Sequence, residues 1–166
     1  MDDLQAQFSS IYDQYIEKIY RFVYLKVSSQ EMAEDITSRV FIKGWESYQG
    51  GKNIKNPSAF LYQIARNMVV DHYRQGGRTK VVSSDNVPEI MDNKVNLHER
   101  AVLNSEIETI KIALDKLKKD YQDVIILHYL EDMPVPEVAM ILDKPAGTVR
   151  VMIHRGLEML RGELEI

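Results

Sequence analysis

The chain contains no cysteine, so disulfides and thiolate metal sites are excluded. Its four histidines, His72, His98, His128 and His154, are scattered without the spacing of a metal-ligand set. No metal and no other cofactor is expected. No apolar run approaches the roughly 20 residues that a membrane span needs. The start, MDDLQAQFSS, lacks the positive charge and apolar stretch of a signal peptide, so a cytoplasmic protein without membrane insertion is expected. Strand-like alternation of useful length is missing too, as is any internal repeat. There is no glycine-rich phosphate loop, no carboxylate pair at metal spacing and no nucleophile with an adjacent base. Catalytic residues and a small-molecule substrate are therefore not expected, and the chain does not read as an enzyme.

What is present is the composition of a folded protein: 166 residues, 45% apolar and 28% charged, enough for one ordinary domain or two small ones. The net charge of −4 hides an uneven distribution. Residues 43–80 hold seven Lys or Arg against two Asp or Glu, whereas residues 81–166 hold ten against sixteen. Such a chain binds DNA weakly alone and needs a partner to present it.

Helical periodicity organises the chain. Phe8, Ile11, Tyr12, Tyr15, Ile16, Ile19, Tyr20 and Val23 mark a long first helix. Ser28-Ser29 followed by Glu31 predicts a cap that starts a second, which Gly50-Gly51 ends. Pro57 suits the first turn of a third helix with Leu61, Ile64, Ala65, Met68 and Val69 inside, and Gly76-Gly77 closes this unit. Residues 79–96 have linker composition. Leu103, Ile107, Ile110, Leu114 and Leu117, then Val124, Ile125, Leu127 and Leu130, open a second unit. The expected fold is all-α: two small helical domains, residues 1–78 and 101–166, joined by a flexible linker over residues 79–100.

The tail, MPVPEVAMILDKPAGTVRVMIHRGLEMLRGEL (residues 133–164), reads as two short amphipathic helices broken at Asp143-Lys144-Pro145. Val138, Ala139 and Leu142 form one apolar stripe; Val149, Ile153, Leu157 and Leu160 form the other. Pro145 forces a turn, and Thr148 is placed to cap the restarted helix. Arg150, Val151, His154 and Arg155 then face outward. This is the shape of a helix-turn-helix, whose second helix enters the major groove, where Arg bonds guanine and Val or Thr touches a thymine methyl. An ordinary helical hairpin with a solvated cationic face fits the periodicity equally well.

Three segments decide between these readings: AEDITSRVFIKGW (residues 33–45), NPSAFLYQIARNMVVDHYR (residues 56–74) and GTVRVMIHRGLEMLRGEL (residues 147–164). Together, in this order, they resemble the extracytoplasmic-function sigma factors of RNA polymerase, and the resemblance covers nearly everything outside the linker. It implies a transcription initiation factor that binds core RNA polymerase and promoter DNA, helps melt the duplex, and is held inactive by an anti-sigma factor.

The resemblance also assigns residues. The helix of residues 33–45 would dock on core polymerase through Glu34, Asp35, Ser38 and Arg39, although the family commonly has Gln-Glu where this chain has Ser38-Arg39. Lys52, Asn53, Lys55 and Asn56, in the loop of residues 49–56, would hold a base flipped from the minus-10 element. Gln63, Arg66, Asn67 and Arg74, on the face opposite the apolar stripe of the third helix, would contact the same element, with Tyr62 as a stacking candidate beside Phe60 and Tyr73. Thr148, Arg150, Val151, His154 and Arg155 would read the minus-35 element. Many relatives have Ser-Arg where this chain has Val151-Met152, which removes a phosphate contact. Asp143 stands where a turn glycine is common and is costly if the backbone needs a positive φ. A stand-alone helix-turn-helix regulator explains the tail but leaves the cationic loop and the third helix without a role. An adaptor that binds polymerase without reading DNA is a further alternative.

Overall fold

The computed structural model describes residues 2–27, 29–75, 94–102 and 105–164, and the regular structure among them is helical. The chain divides into two compact units, Met1–Ala101 and Val102–Ile166. Among the described residues no helix is long and apolar enough to cross a membrane.

The first unit is a bundle of α1 (Asp2–Lys26), α2 (Gln30–Gln49) and α3 (Pro57–Arg74), each packed on the other two. Ile19, Phe22 and Val23 of α1, Val40 and Phe41 of α2, and Leu61, Ala65 and Val69 of α3 form its core. The helix ends follow from their residues. Ser29 Oγ accepts the Met32 N–H at 3.1 Å, the cap foreseen at that position. Gly51 takes a φ of +89° at the end of α2, where Lys52 N–H reaches the Ser47 carbonyl at 3.1 Å and Gly51 N–H reaches Tyr48 at 3.2 Å. Those paired bonds satisfy carbonyls that the helix leaves open. Gly44 allows the helices to approach, since a Cβ there would lie 3.2 Å from Leu61 Cδ2.

One element differs from the expected tether. Residues 94–101, the end of the anticipated linker, form α4 (Lys94–Ala101), which packs on α1 within the first unit. The remainder of that linker, and the Gly76-Gly77 stop, lie outside the described residues.

The second unit comprises α5 (Ser105–Leu114), α6 (Lys119–Ile125), a π-helical turn (Ile126–Leu130), α7 (Val135–Leu142) and α8 (Ala146–Leu164). Val124, Ile125, Leu127, Val138, Leu142, Val149 and Ile153 are buried in it; Leu103 lies outside the described residues. Buried Gln122 donates through Nε2 to the carbonyls of Leu114 at 2.7 Å and Leu117 at 3.0 Å, closing the end of α5. The π turn widens the ladder, with Glu131 N–H on the Ile126 carbonyl at 2.9 Å and Met133 N–H on Leu127 at 3.0 Å. His128 Nδ1 lies 2.9 Å from the Met133 carbonyl; because that oxygen only accepts, Nδ1 carries the proton.

Candidate nucleic-acid interface

The turn between α7 and α8 is set by backbone chemistry. Asp143 adopts φ 55° and ψ 50°, the left-handed conformation, and Lys144 N–H bonds the Ala139 carbonyl at 3.1 Å. The anticipated demand for positive φ at this non-glycine position is met. Pro145 then supplies the first carbonyl of α8, to Val149 N–H at 3.1 Å. The helix starts at Ala146, so Thr148 lies inside its first turn and is not the expected cap. The N-cap position falls on Pro145, three residues before Thr148, so the Thr148 side chain is too far along the helix to fill it.

Packing divides α8 in two. Val149, Ile153, Gly156 and Leu160 are buried, and Leu157 is half-buried beside them. Thr148, Arg150, Val151, His154 and Arg155 all lie on the exposed side, as the periodicity requires. Val151, at 47% exposure, is an apolar side chain held in solvent. His154 Nε2 stands 3.3 Å from Glu158 Oε1, one turn along the same face. Gly156 is a supporting residue that periodicity alone does not single out: a Cβ there would meet Ile125 Cδ1 and Cγ1 at 3.3 Å, so glycine sets how closely α6 and α8 approach. A glycine inside an otherwise periodic helix was the available signal.

In the first unit, Asn67 and Arg74 are exposed and Gln63 and Arg66 half-buried, all along the side of α3 away from its core. Lys52, Asn53 and Lys55 are exposed in the preceding loop. Lys52 Nζ sits 4.9 Å from the centroid of the Phe60 ring, a cation over an aromatic face that ties the loop to α3. Asn56 acts on the backbone, where its Oδ1 accepts the Ala59 N–H at 3.1 Å and caps α3. Tyr62 is a correction. It is 1% exposed, with its ring edge-on to Phe22 at 5.5 Å, so it is part of the core and presents no stacking face. Tyr73 is exposed, and its hydroxyl donates to the Lys26 carbonyl.

The candidate polymerase face on α2 is only partly exposed. Asp35 and Ser38 are only 5% and 2% exposed, because α2 is packed by both α1 and α3 and buries a wide arc. Asp35 Oδ2 pairs with Arg39 Nε at 3.0 Å, which orients the guanidinium. Glu34 and Arg39 are half-buried. Lys43 and Glu46, four and seven residues beyond Arg39, are exposed and extend its side of the helix.

Comparison with known proteins agrees with both units. Residues 11–79 match the sigma-70 region 2 family and residues 108–160 match sigma-70 region 4. The ECF RNA polymerase sigma factor SigW of Bacillus subtilis is 32% identical, over 96% of this chain and 90% of its own length. SigX of the same organism is 27% identical, over 98% and 86%. Among solved structures, the sigma factor RpoE of Bartonella quintana, crystallised with the anti-sigma factor NepR, shares the fold with a TM-score of 0.71 at 19% identity, covering 96% of this chain and 98% of that one. The chain belongs to the extracytoplasmic-function (ECF) RNA polymerase sigma factors.

Proposed function

We propose that α8 reads the minus-35 element of a promoter through Thr148, Arg150, Val151, His154 and Arg155, while the first unit engages the minus-10 element. The observation that carries this reading is the segregation of α8, with all five residues on its solvent side and its apolar residues buried. Arg150 is the main polar reader, suited to the paired acceptors of guanine, and Val151 contributes an apolar contact of the kind a thymine methyl accepts. In the first unit, Lys52, Asn53 and Lys55 face the minus-10 strand with Gln63, Arg66, Asn67 and Arg74, and Asn56 fixes the angle at which the loop enters α3. Core polymerase binds the side of α2 that carries Arg39, Lys43 and Glu46, with Glu34 at its margin and Asp35 acting through Arg39. Each unit alone binds DNA weakly, and polymerase joins them into one register-dependent contact. The factor acts in the cytoplasm and is kept inactive by an anti-sigma protein, as the RpoE complex with NepR suggests by analogy. Run-off transcription with purified core polymerase over a promoter library tests the reading. Protein-dependent, promoter-specific transcripts are expected; their absence overturns it.

A further inference from the structure

A groove of about 390 Å³ runs beside α8 in the second unit. Lys118, Lys119, Asp120 and Tyr121 line it from the start of α6, and Met152 lines it from α8. Both lysines are exposed and outweigh the one carboxylate beside them. The segment that carries them is fixed by its backbone. Lys116 N–H bonds the Ala113 carbonyl at 3.2 Å and Leu117 N–H the Leu114 carbonyl at 2.9 Å, so the chain turns tightly out of α5. Buried Gln122 holds the same turn from within through Leu114 and Leu117, and its own N–H bonds the Lys118 carbonyl at 3.0 Å. Neighbouring Lys116 is engaged elsewhere, its Nζ lying 3.3 Å from Glu163 Oε2 near the end of α8.

The position of the groove on α8 gives the two lysines a task. At about 100° per residue, Met152 lies about 60° round the helix from exposed Arg155 and about 40° from buried Gly156. Gly156 faces α6, since a Cβ there would meet Ile125 Cδ1 at 3.3 Å and Tyr121 Cδ1 at 3.5 Å. Met152 therefore marks the edge of the exposed face, on the flank next to α6. A helix seated in the major groove presents its face to base edges, while contacts around it to the sugar-phosphate backbone fix its register. Met152 brings no charge to that flank. Lys118 and Lys119 bring two, as point charges on flexible stems that suit phosphate oxygens and express no base preference.

We infer that Lys118 and Lys119 form a phosphate clamp beside the recognition helix, holding the DNA backbone that borders the minus-35 element and so fixing the register in which α8 reads it. The inference rests on the minus-35 reading above. Its test is equilibrium binding of the protein with core polymerase to one promoter fragment over a salt series, comparing the parent with a Lys118→Gln, Lys119→Gln double variant. The Lys118 side chain makes no capping bond, so its replacement leaves α6 intact. The double variant is expected to bind core polymerase as the parent does. Its promoter affinity should fall by about fivefold or more at low salt, and the slope of log affinity against log salt should become shallower by about 1 to 2. The loss should be the same whichever bases occupy the minus-35 element, whereas the loss from Arg150→Ala should depend on them. Lys116→Gln should leave affinity and slope unchanged. An unchanged slope in the double variant, a loss that varies with the bases, an equal effect per charge from Lys116→Gln, or weakened core binding overturns the clamp and leaves the minus-35 reading standing. A parent complex indifferent to deletion of the minus-35 element overturns that reading and the clamp with it.

Discussion

At the scale of single residues, backbone conformation and burial decide more than residue type. Asp143 sits at φ 55° with a Cβ that the left-handed region tolerates poorly. Asp143→Gly is expected to stabilise the second unit by up to about 1 kcal/mol, the relieved strain being partly offset by glycine's greater freedom in the unfolded chain. Thermal unfolding measures this directly, and a lower melting temperature counts against the assigned turn. Tyr62 makes the opposite point: an aromatic on helical spacing among DNA-facing neighbours suggested stacking, yet its ring is consumed by packing on Phe22. Tyr62→Phe should leave promoter opening unchanged, and Tyr62→Ala should destabilise the first unit by about 3–5 kcal/mol. Loss of opening in a fully folded Tyr62→Phe protein would return the residue to the interface. Neither outcome of folding at Tyr62 or Asp35 was legible in sequence, because local periodicity identifies one buried stripe and does not report how wide an arc two neighbouring helices cover.

At the scale of elements, helix ends were the most legible feature. Ser29, Gly50-Gly51, Pro57 and Asp143-Pro145 each carry a capping or turn chemistry that acts within a few residues of itself, so sequence alone locates them, whereas the Asn56 cap came with the structure. The π turn at Ile126–Leu130 has no such local signature and emerged only with the bonds of Glu131 and Met133. Helix α4 has linker composition for a related reason: its polar sequence is helical because α1 receives it, and that partner lies some 80 positions earlier in the chain. The exposed faces of α3 and α8 make separable predictions. Asn67→Ala should reduce the rate of promoter opening, seen by permanganate reactivity, while leaving core binding intact. Arg150→Ala should cost about 1–3 kcal/mol of discrimination at one minus-35 base pair, measured by competition among mutated promoters. Loss of core binding in either variant would place the functions on the wrong faces.

At the scale of the whole molecule, the acidic second half and the modest number of cationic readers on α8 imply that the second unit is not a strong DNA binder by itself. Val151 and Met152 strengthen that expectation, since the recognition helix presents fewer polar groups there. The tethered pair becomes specific only when polymerase fixes the two units at the spacing of the promoter. The decisive measurement is equilibrium binding to one promoter fragment by the protein alone, by core polymerase alone and by the two together, with each promoter element deleted in turn. Weak, sequence-indifferent binding by the protein alone is expected, and in the presence of core polymerase a loss of at least tenfold on deleting either element. Tight, sequence-specific binding without polymerase would contradict it.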